Sequence, residues 1–317
     1  MARAHYLVTG GCGFIGSHLV DRLLAGGARV RVLDDLSTGR RENLDGAAEL
    51  ILGDVADRAA LRAAMADVDG CFHLAAVASV ARCHSEWAAT HRVNLSASVD
   101  LFDLARPDMR DVPVVYASSA AVYGDNPALP LDETARPRPA SAYGADKLAC
   151  ELHAYAGAVA HGMRSTGLRF FNVYGPRQDP RSPYSGVISI FRDRLARGEP
   201  ITIHGDGTQS RDFVAVADVV EMLTRAMGRL HGCAHGAGTA DVVNVCTGEA
   251  TPITRLAAEL ARLAGQRTAI RHTDPRPGDI RHSCGSPARA QALLGYRPRV
   301  ALATGLADLV NDAVEAA

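Results

Sequence analysis

Leu7-Val8-Thr9-Gly10-Gly11-Cys12-Gly13-Phe14-Ile15-Gly16 is the segment around which the rest of this chain can be ordered. A short β-prone run, Tyr6-Leu7-Val8, enters it, and Phe14, Ile15, Leu19 and Leu23 leave it at helical spacing. Gly26-Gly27 then ends the helical pattern, as glycine often does past a helix C-terminus. Between strand and helix stand Gly10, Gly13 and Gly16, in the pattern G-x-x-G-x-x-G. In such a turn one glycine permits the sharp bend, one lets backbone approach a pyrophosphate, and one lets helix pack on strand. The helix N-terminus offers free N–H groups and the positive end of its dipole to phosphate.

Outward from this turn the alternation continues. Val30–Leu33 ends in Asp34-Asp35, Leu50–Leu52 in Gly53-Asp54, and Cys71–Leu74 in Ala75-Ala76. Val114–Tyr116 ends in Ala117-Ser118-Ser119, and Leu168–Phe171 in Asn172. Strands separated by helical connections imply an α/β fold, a parallel sheet covered on both faces. Ligands bind such sheets beyond the carboxyl ends of the strands. Asp34 lies 18 residues beyond Gly16, suited to grip an adenosine ribose; a carboxylate there favours NAD over NADP, whose 2′-phosphate it repels.

The second half reads differently. Residues 172–210 are rich in Pro, Gly and Arg around one helix near Val187–Arg197. Val214–Arg229 and Asp241–Val245 return to helix and strand patterns, residues 252–264 look helical, and 272–287 form a polar loop. The expectation is a dinucleotide-binding domain over 1–171, with returning segments about 212–247, and a smaller lobe made mainly from 172–317.

Composition excludes several classes. With 34 Lys plus Arg against 35 Asp plus Glu, nothing suggests a nucleic-acid or membrane-surface partner. No apolar run approaches the ~20 residues that span a bilayer, and no signal-peptide pattern opens the chain. Cys12, Cys71, Cys83, Cys150, Cys233, Cys246 and Cys284 are scattered, odd in number and without a C-x-x-C pair. They read as free thiols in a reducing, cytoplasmic setting.

A second motif carries chemistry. Ser141-Ala142-Tyr143-Gly144-Ala145-Asp146-Lys147 contains Y-x-x-x-K, which puts both side chains on one helix face. Tyrosine ordinarily ionises near pH ~10. A neighbouring ammonium and a cationic nicotinamide favour the phenolate, giving a proton acceptor at neutral pH. Ser119, at a strand's carboxyl end, is placed to hydrogen-bond a sugar oxygen.

With these motifs in order, the chain resembles the extended short-chain dehydrogenase/reductases, and among them the UDP-hexose 4-epimerases. The resemblance runs through the glycine turn, Asp54-Val55, Leu74-Ala75-Ala76, Asn94, Ser118-Ser119, Tyr143-x-x-x-Lys147, Arg169–Arg177, Arg211-Asp212-Phe213 and Arg276-Pro277-Gly278-Asp279. It implies a Rossmann-type doubly wound parallel sheet with a smaller C-terminal α/β substrate lobe. Ser119, Tyr143 and Lys147 would be catalytic. NAD would lie along Gly10, Gly13, Phe14, Ile15, Gly16, Asp34, Asp35, Ser37, Thr38, Gly39, Leu74, Ala75, Ala76, Asn94 and Ser118, with Asp54 and Val55 at the adenine and Lys147 at the nicotinamide ribose. Asn172, Val187, Thr202, His204, Arg211, Arg276, Asp279 and Ser283 would hold the UDP-sugar. Arginine suits a diphosphate because its fork of donors matches the anion.

The implied reaction moves the 4-OH proton to tyrosinate and the C4 hydride to tightly bound NAD, then returns hydride to the other face of a transient 4-keto sugar. NAD is regenerated each cycle. Ser119-Ala120-Ala121-Val122-Tyr123-Gly124 lacks the acid that dehydratase and decarboxylase relatives carry there. A reductase exchanging free cofactor stays open, and a non-catalytic nucleotide-sugar binder is disfavoured by the intact Ser-Tyr-Lys set. Ser283, at the family's gatekeeper position beside the sugar's 2-position, leaves room for an acetamido group. UDP-GlcNAc/UDP-GalNAc are therefore expected as substrates beside UDP-Glc/UDP-Gal. A UDP-glucuronate substrate is the alternative. Asp179 would repel its carboxylate, while Arg181 lies close. The helices around Glu86–Arg106 and Tyr143–Gly162 could build the family's homodimer.

Other features are read plainly. His231-Gly232-Cys233-Ala234-His235 is expected to be surface loop and no metal site. His73 is expected to be a hydrogen-bonded core histidine, Trp87 a packed residue opening the helix before Asn94, and Cys12 a small filler of the turn. His204 stands where relatives usually place Phe near the uracil.

Overall fold

The computed structural model describes residues 3–180, 186–266, 268–275 and 280–315, with side chains to residue 311. Arg181, Arg276 and Asp279 lie outside the described residues. The strands are β1 (His5–Thr9), β2 (Arg29–Asp34), β3 (Glu49–Leu52), β4 (Gly70–His73), β5 (Val114–Ser119), β6 (Arg164–Phe170), β7 (Asn172–Tyr174), β8 (Ile201–His204), β9 (Ser210–Ala215), β10 (Thr239–Val245), β11 (Ala250–Pro252) and β12 (Ile270–Thr273). The helices are α1 (Phe14–Ala25), α2 (Arg58–Ala64), α3 (Val80–Ser85), α4 (Trp87–His91), α5 (Ala97–Ala105), α6 (Ala142–His161), α7 (Val187–Ala196), α8 (Val216–His231), α9 (Ile253–Leu263), α10 (Ala288–Leu294) and α11 (Leu302–Glu315).

The main sheet has seven strands in the order β3-β2-β1-β4-β5-β6-β10, and every pairing is parallel. Adjacent residues on its strands face opposite ways, and both faces are apolar. Val8, Val32, Phe72 and Val115 pack with residues of α1 and α8 on one side. Leu7, Leu33, Cys71 and Val114 pack with residues of α2, α5 and α6 on the other. That is why these strands read as short continuous apolar runs. Chain order reverses between β1 and β4, which opens a crevice at their carboxyl ends.

The chain crosses out of this sheet and returns. β7 pairs with β9, and β9 with β11, in a separate three-stranded sheet. α8 follows β9 and covers the main sheet, and β10 adds to its edge beside β6. The lobe has a core of its own, from α7, β8, β9, α9 and α11, including Phe191, Ile203, Phe213, Leu256 and Leu306. Asp212 fastens the crossings: its buried carboxylate accepts from Thr247 N and Oγ1, Gly248 N and Gly285 N.

Three expectations need correction. Trp87 opens α4 but does not pack: it is 63% exposed. β6 begins at Arg164 rather than near Leu168. The stretch from 272 expected to be loop starts inside β12, which pairs with β8. Among the described residues no helix is long and apolar enough to cross a membrane.

Candidate active site

The glycine turn lies at the reversal point. Gly10 has φ +70°, and a Cβ there would lie 2.8 Å from Ala75 N, in the loop leaving β4. A Cβ on Gly16 would lie 2.1 Å from Gly10 O. Only glycine lets the start of α1 close on the turn in this way. Gly13 caps α1 without a side-chain acceptor, and the first turn holds no acid, so its leading N–H groups have no intrahelical partner.

Asp34 ends β2 with its carboxylate buried, accepting from Cys12 N at 2.9 Å and Leu36 N at 2.8 Å. Burial pushes its pKa up, against those two amides. A carboxylate has about four acceptor positions, so this acid braces the turn and can still accept from a ribose. Asp35 is exposed and caps Ser37 N and Oγ; Thr38 is exposed, and Gly39 lies against Cys12 and Asp34. Asp54 is exposed after β3, with Val55 buried beside it. Leu74, Ala75 and Ala76 are half-buried on the opposite wall. An uncapped helix start, a cradle that Cβ atoms would fill and a buried acid at the next strand end fit a dinucleotide.

Asn94 sits in a π-helical turn, Arg92–Ser96, and its amide is taken up by Val77, accepting from N at 2.8 Å and donating to O at 3.1 Å. It shapes the loop after β4. His73 is buried between Thr9 Oγ1 (2.8 Å) and Ser98 Oγ (3.0 Å), as expected of a core histidine. Burial, then the Lys147 charge, lowers its pKa to about 3, so it stays neutral.

Ser119 ends β5, and its Oγ accepts from Ala121 N at 3.1 Å. Tyr143 stands in the first turn of α6, which Ser141 caps through Gly144 N. A Cβ on Gly144 would lie 2.6 Å from Ala121 O, so this glycine brings the start of α6 onto the turn after Ser119. One turn on, buried Lys147 donates from Nζ to Ala117 O at 2.9 Å, and Nζ lies 5.9 Å from the Tyr143 ring centre. The elements that carry Ser119, Tyr143 and Lys147 thus meet at the carboxyl end of β5, on the same edge of the sheet as the glycine turn.

Behind them is a network the sequence reading missed. Ser118 Oγ donates to Glu151 Oε1 at 2.5 Å, and Arg169 grips both oxygens of Glu151 at 2.9 and 2.6 Å. Arg169 also donates to Tyr123 Oη at 2.8 Å, and Tyr123 donates to Asn244 Oδ1 at 2.7 Å. Burial pushes the Tyr123 phenol up to about 12, so it remains a donor. One local signal existed: Glu151 follows Lys147 by four residues, which continues the Tyr143–Lys147 face.

In the lobe, half-buried Asn172 opens β7, paired with Phe213 of β9. Arg211 on β9 donates to the carbonyls of Ser210 and Arg281. Ser283 is buried in the adjoining segment, its N–H on Ser210 O. Val187 opens α7, and Thr202 on β8 accepts from Arg194 at 2.6 Å. His204, its Nδ1 2.9 Å from Thr273 Oγ1, lines a cleft of about 370 Å³ with Gln209, Pro275, Ile280 and Arg281. Asp179 is ion-paired with Arg40 at 2.7 Å, which reduces the repulsion expected of it. His231 ends α8 against Tyr6, and His235 is exposed beside Asp111. No cluster of three metal-ligating side chains occurs among the described residues.

The sequence pattern of the NAD dependent epimerase/dehydratase family matches residues 6–246. The chain belongs to that family. NAD is its cofactor. A UDP-glucose 4-epimerase of Mycolicibacterium smegmatis is 40% identical over 96% of this chain and 97% of its own. The crystal structure of a UDP-glucose 4-epimerase from Thermotoga maritima with UDP-glucose is 36% identical, with TM-score 0.92 over 98% of this chain and 99% of that one. A UDP-N-acetylglucosamine 4-epimerase from Methanobrevibacter ruminantium, in complex with UDP-N-acetylmuramic acid, is 34% identical, with TM-score 0.91 over the whole of both chains. With relatives named as 4-epimerases along nearly its whole length, the protein is an isomerase.

Proposed function

We propose that this enzyme inverts C4 of a UDP-hexose, acting on UDP-GlcNAc/UDP-GalNAc as well as UDP-Glc/UDP-Gal. The observation that carries the proposal is the meeting of the elements that carry Ser119, Tyr143 and Lys147 at the end of β5, in a chain like UDP-sugar 4-epimerases along nearly its whole length. Gly10, Gly13, Phe14, Ile15, Gly16 and Asp34 hold the dinucleotide, with Leu74–Ala76 as the facing wall and Asn94 bracing that wall. NAD, when bound, supplies the hydride acceptor and donor. Tyr143 takes the proton from the sugar's 4-hydroxyl and later gives it back. Ser119 hydrogen-bonds the same oxygen, and Lys147 holds the nicotinamide ribose and keeps positive charge near the phenol. Asn172 and Arg211 engage the diphosphate, and the His204 cleft takes the uridine. Ala120 and Ala121 offer no acid for dehydration.

Purified protein incubated with separate UDP-sugars and no added cofactor should yield the C4 epimer on chromatography. A reduced or dehydrated product would sink the proposal. Ser283→Tyr should cut turnover of the acetamido pair at least about tenfold and spare UDP-Glc/UDP-Gal, since a pocket built around one group rejects by ~1–3 kcal/mol when filled. Unchanged acetamido turnover would refute the gatekeeper role.

The enzyme is proposed to be a homodimer. Leu152, Tyr155 and Val159 form an exposed apolar row along α6, 62%, 63% and 71% exposed, and Trp87 stands exposed on the neighbouring α4. An apolar row of this kind marks an interface, and a second copy of the same face covers it symmetrically. Sedimentation velocity reading only monomer at micromolar protein would exclude this.

A further inference from the structure

Four contacts outside the catalytic cluster tie the segment after β7 to the cofactor half. His18 Nε2 donates to Pro176 O at 3.0 Å. Arg177 pairs with Asp21 at 2.7 Å and reaches Asn43 O at 3.5 Å. Arg40 pairs with Asp179 at 2.7 Å. His18 and Asp21 lie on α1, whereas Arg40 and Asn43 continue the loop that carries Asp34, Asp35, Ser37, Thr38 and Gly39. That loop is folded onto the glycine turn at its far end, where Arg40 N and Asn43 Nδ2 both donate to Cys12 O at 3.0 and 2.9 Å. Two non-glycine residues with positive φ flank the junction, Leu36 at +57° and Arg177 at +63°. Strain of this kind persists only where surrounding contacts enforce it, and it collects at ligand clamps.

We infer that Arg40 and Asp179 are positioning residues for the cofactor, fastening the loop beside the adenosine ribose to the segment that begins at Asn172. The inference rests on the glycine turn and Asp34 being the dinucleotide site. Release of the adenosine half requires the loop to move, and the loop cannot move without parting from Asp179. Such a fastening suits an enzyme whose dinucleotide is regenerated in place. The pair is half-exposed, 52% and 31% for the two side chains, so its contribution is modest and screened by salt.

The test is exchange of bound NAD for isotopically labelled NAD, followed by mass spectrometry. It compares the wild type, Arg40→Ala, Asp179→Ala and the charge-exchanged Arg40→Asp/Asp179→Arg, with unfolding midpoints of the cofactor-free proteins alongside. The single variants should exchange about 2- to 5-fold faster at unchanged midpoint, and the charge exchange should return the rate close to that of the wild type. Single variants exchanging at the wild-type rate, or a charge exchange no slower than they are, would overturn the inference while leaving the cofactor site intact. A wild type that takes up no NAD would overturn the site assignment, and the inference with it.

Discussion

Tyr143→Phe is expected to lower the rate of C4 epimerisation by about 10²- to 10⁴-fold, the usual contribution of a positioned acid–base group. The substitution removes one oxygen and keeps the ring. The start of α6 is fixed independently of that oxygen, by the Ser141 cap and by Gly144 seated on Ala121 O. Lys147 is held by Ala117 O, not by the phenol. The variant should therefore keep its fold, its unfolding midpoint within the small range of most non-core changes, and its bound NAD. A KM near that of the wild type with a collapsed kcat is the signature of an interaction made only in the transition state. Chromatography of UDP-sugar products reads the rate, and turnover at the native speed would remove Tyr143 from the chemistry.

What could be seen in the sequence was what short spacing controls. The glycine turn, the acid at the end of β2 and the i, i+4 face of α6 each need only a strand, a turn or a helix to be specified, and each lies where expected. What escaped was set by distant partners. Arg164 looks wrong for a buried strand, yet it starts β6 because Leu230 O, Asp111 O and the Asp111 carboxylate receive its guanidinium. β12 has four exposed residues and no apolar alternation, and it exists through pairing with β8. Trp87 reads as core by type, and within one chain nothing covers it. The network behind Ser119 joins residues up to 121 positions apart, beyond the reach of any periodicity.

Glu151→Ala should be the most destabilising single change in that network. The Glu151–Arg169 pair is 2.6 Å long, with both side chains almost wholly buried. Removing one partner leaves an uncompensated buried guanidinium, a loss of about 3–5 kcal/mol, which lowers the unfolding midpoint by roughly 10 °C. It also strips Ser118 of its acceptor next to Ser119. The cost belongs to the orphaned charge, so Glu151→Met/Arg169→Met should be far less harmful than Glu151→Ala, because well-packed apolar pairs of similar volume often replace buried ion pairs at little cost. Arg169→Met also takes a donor from Tyr123 Oη, and every Glu151 variant leaves Ser118 without its acceptor, so the pair's own contribution is read from a cycle. Denaturant unfolding of the wild type, Glu151→Met, Arg169→Met and the double variant closes that cycle, with Glu151→Ala measured beside it. A Glu151→Ala cost below about 1 kcal/mol would mean that water or a shifted Tyr123 rescues Arg169. α6 would then be held at the end of β5 by Lys147 on Ala117 O and by Gly144 on Ala121 without help from this carboxylate.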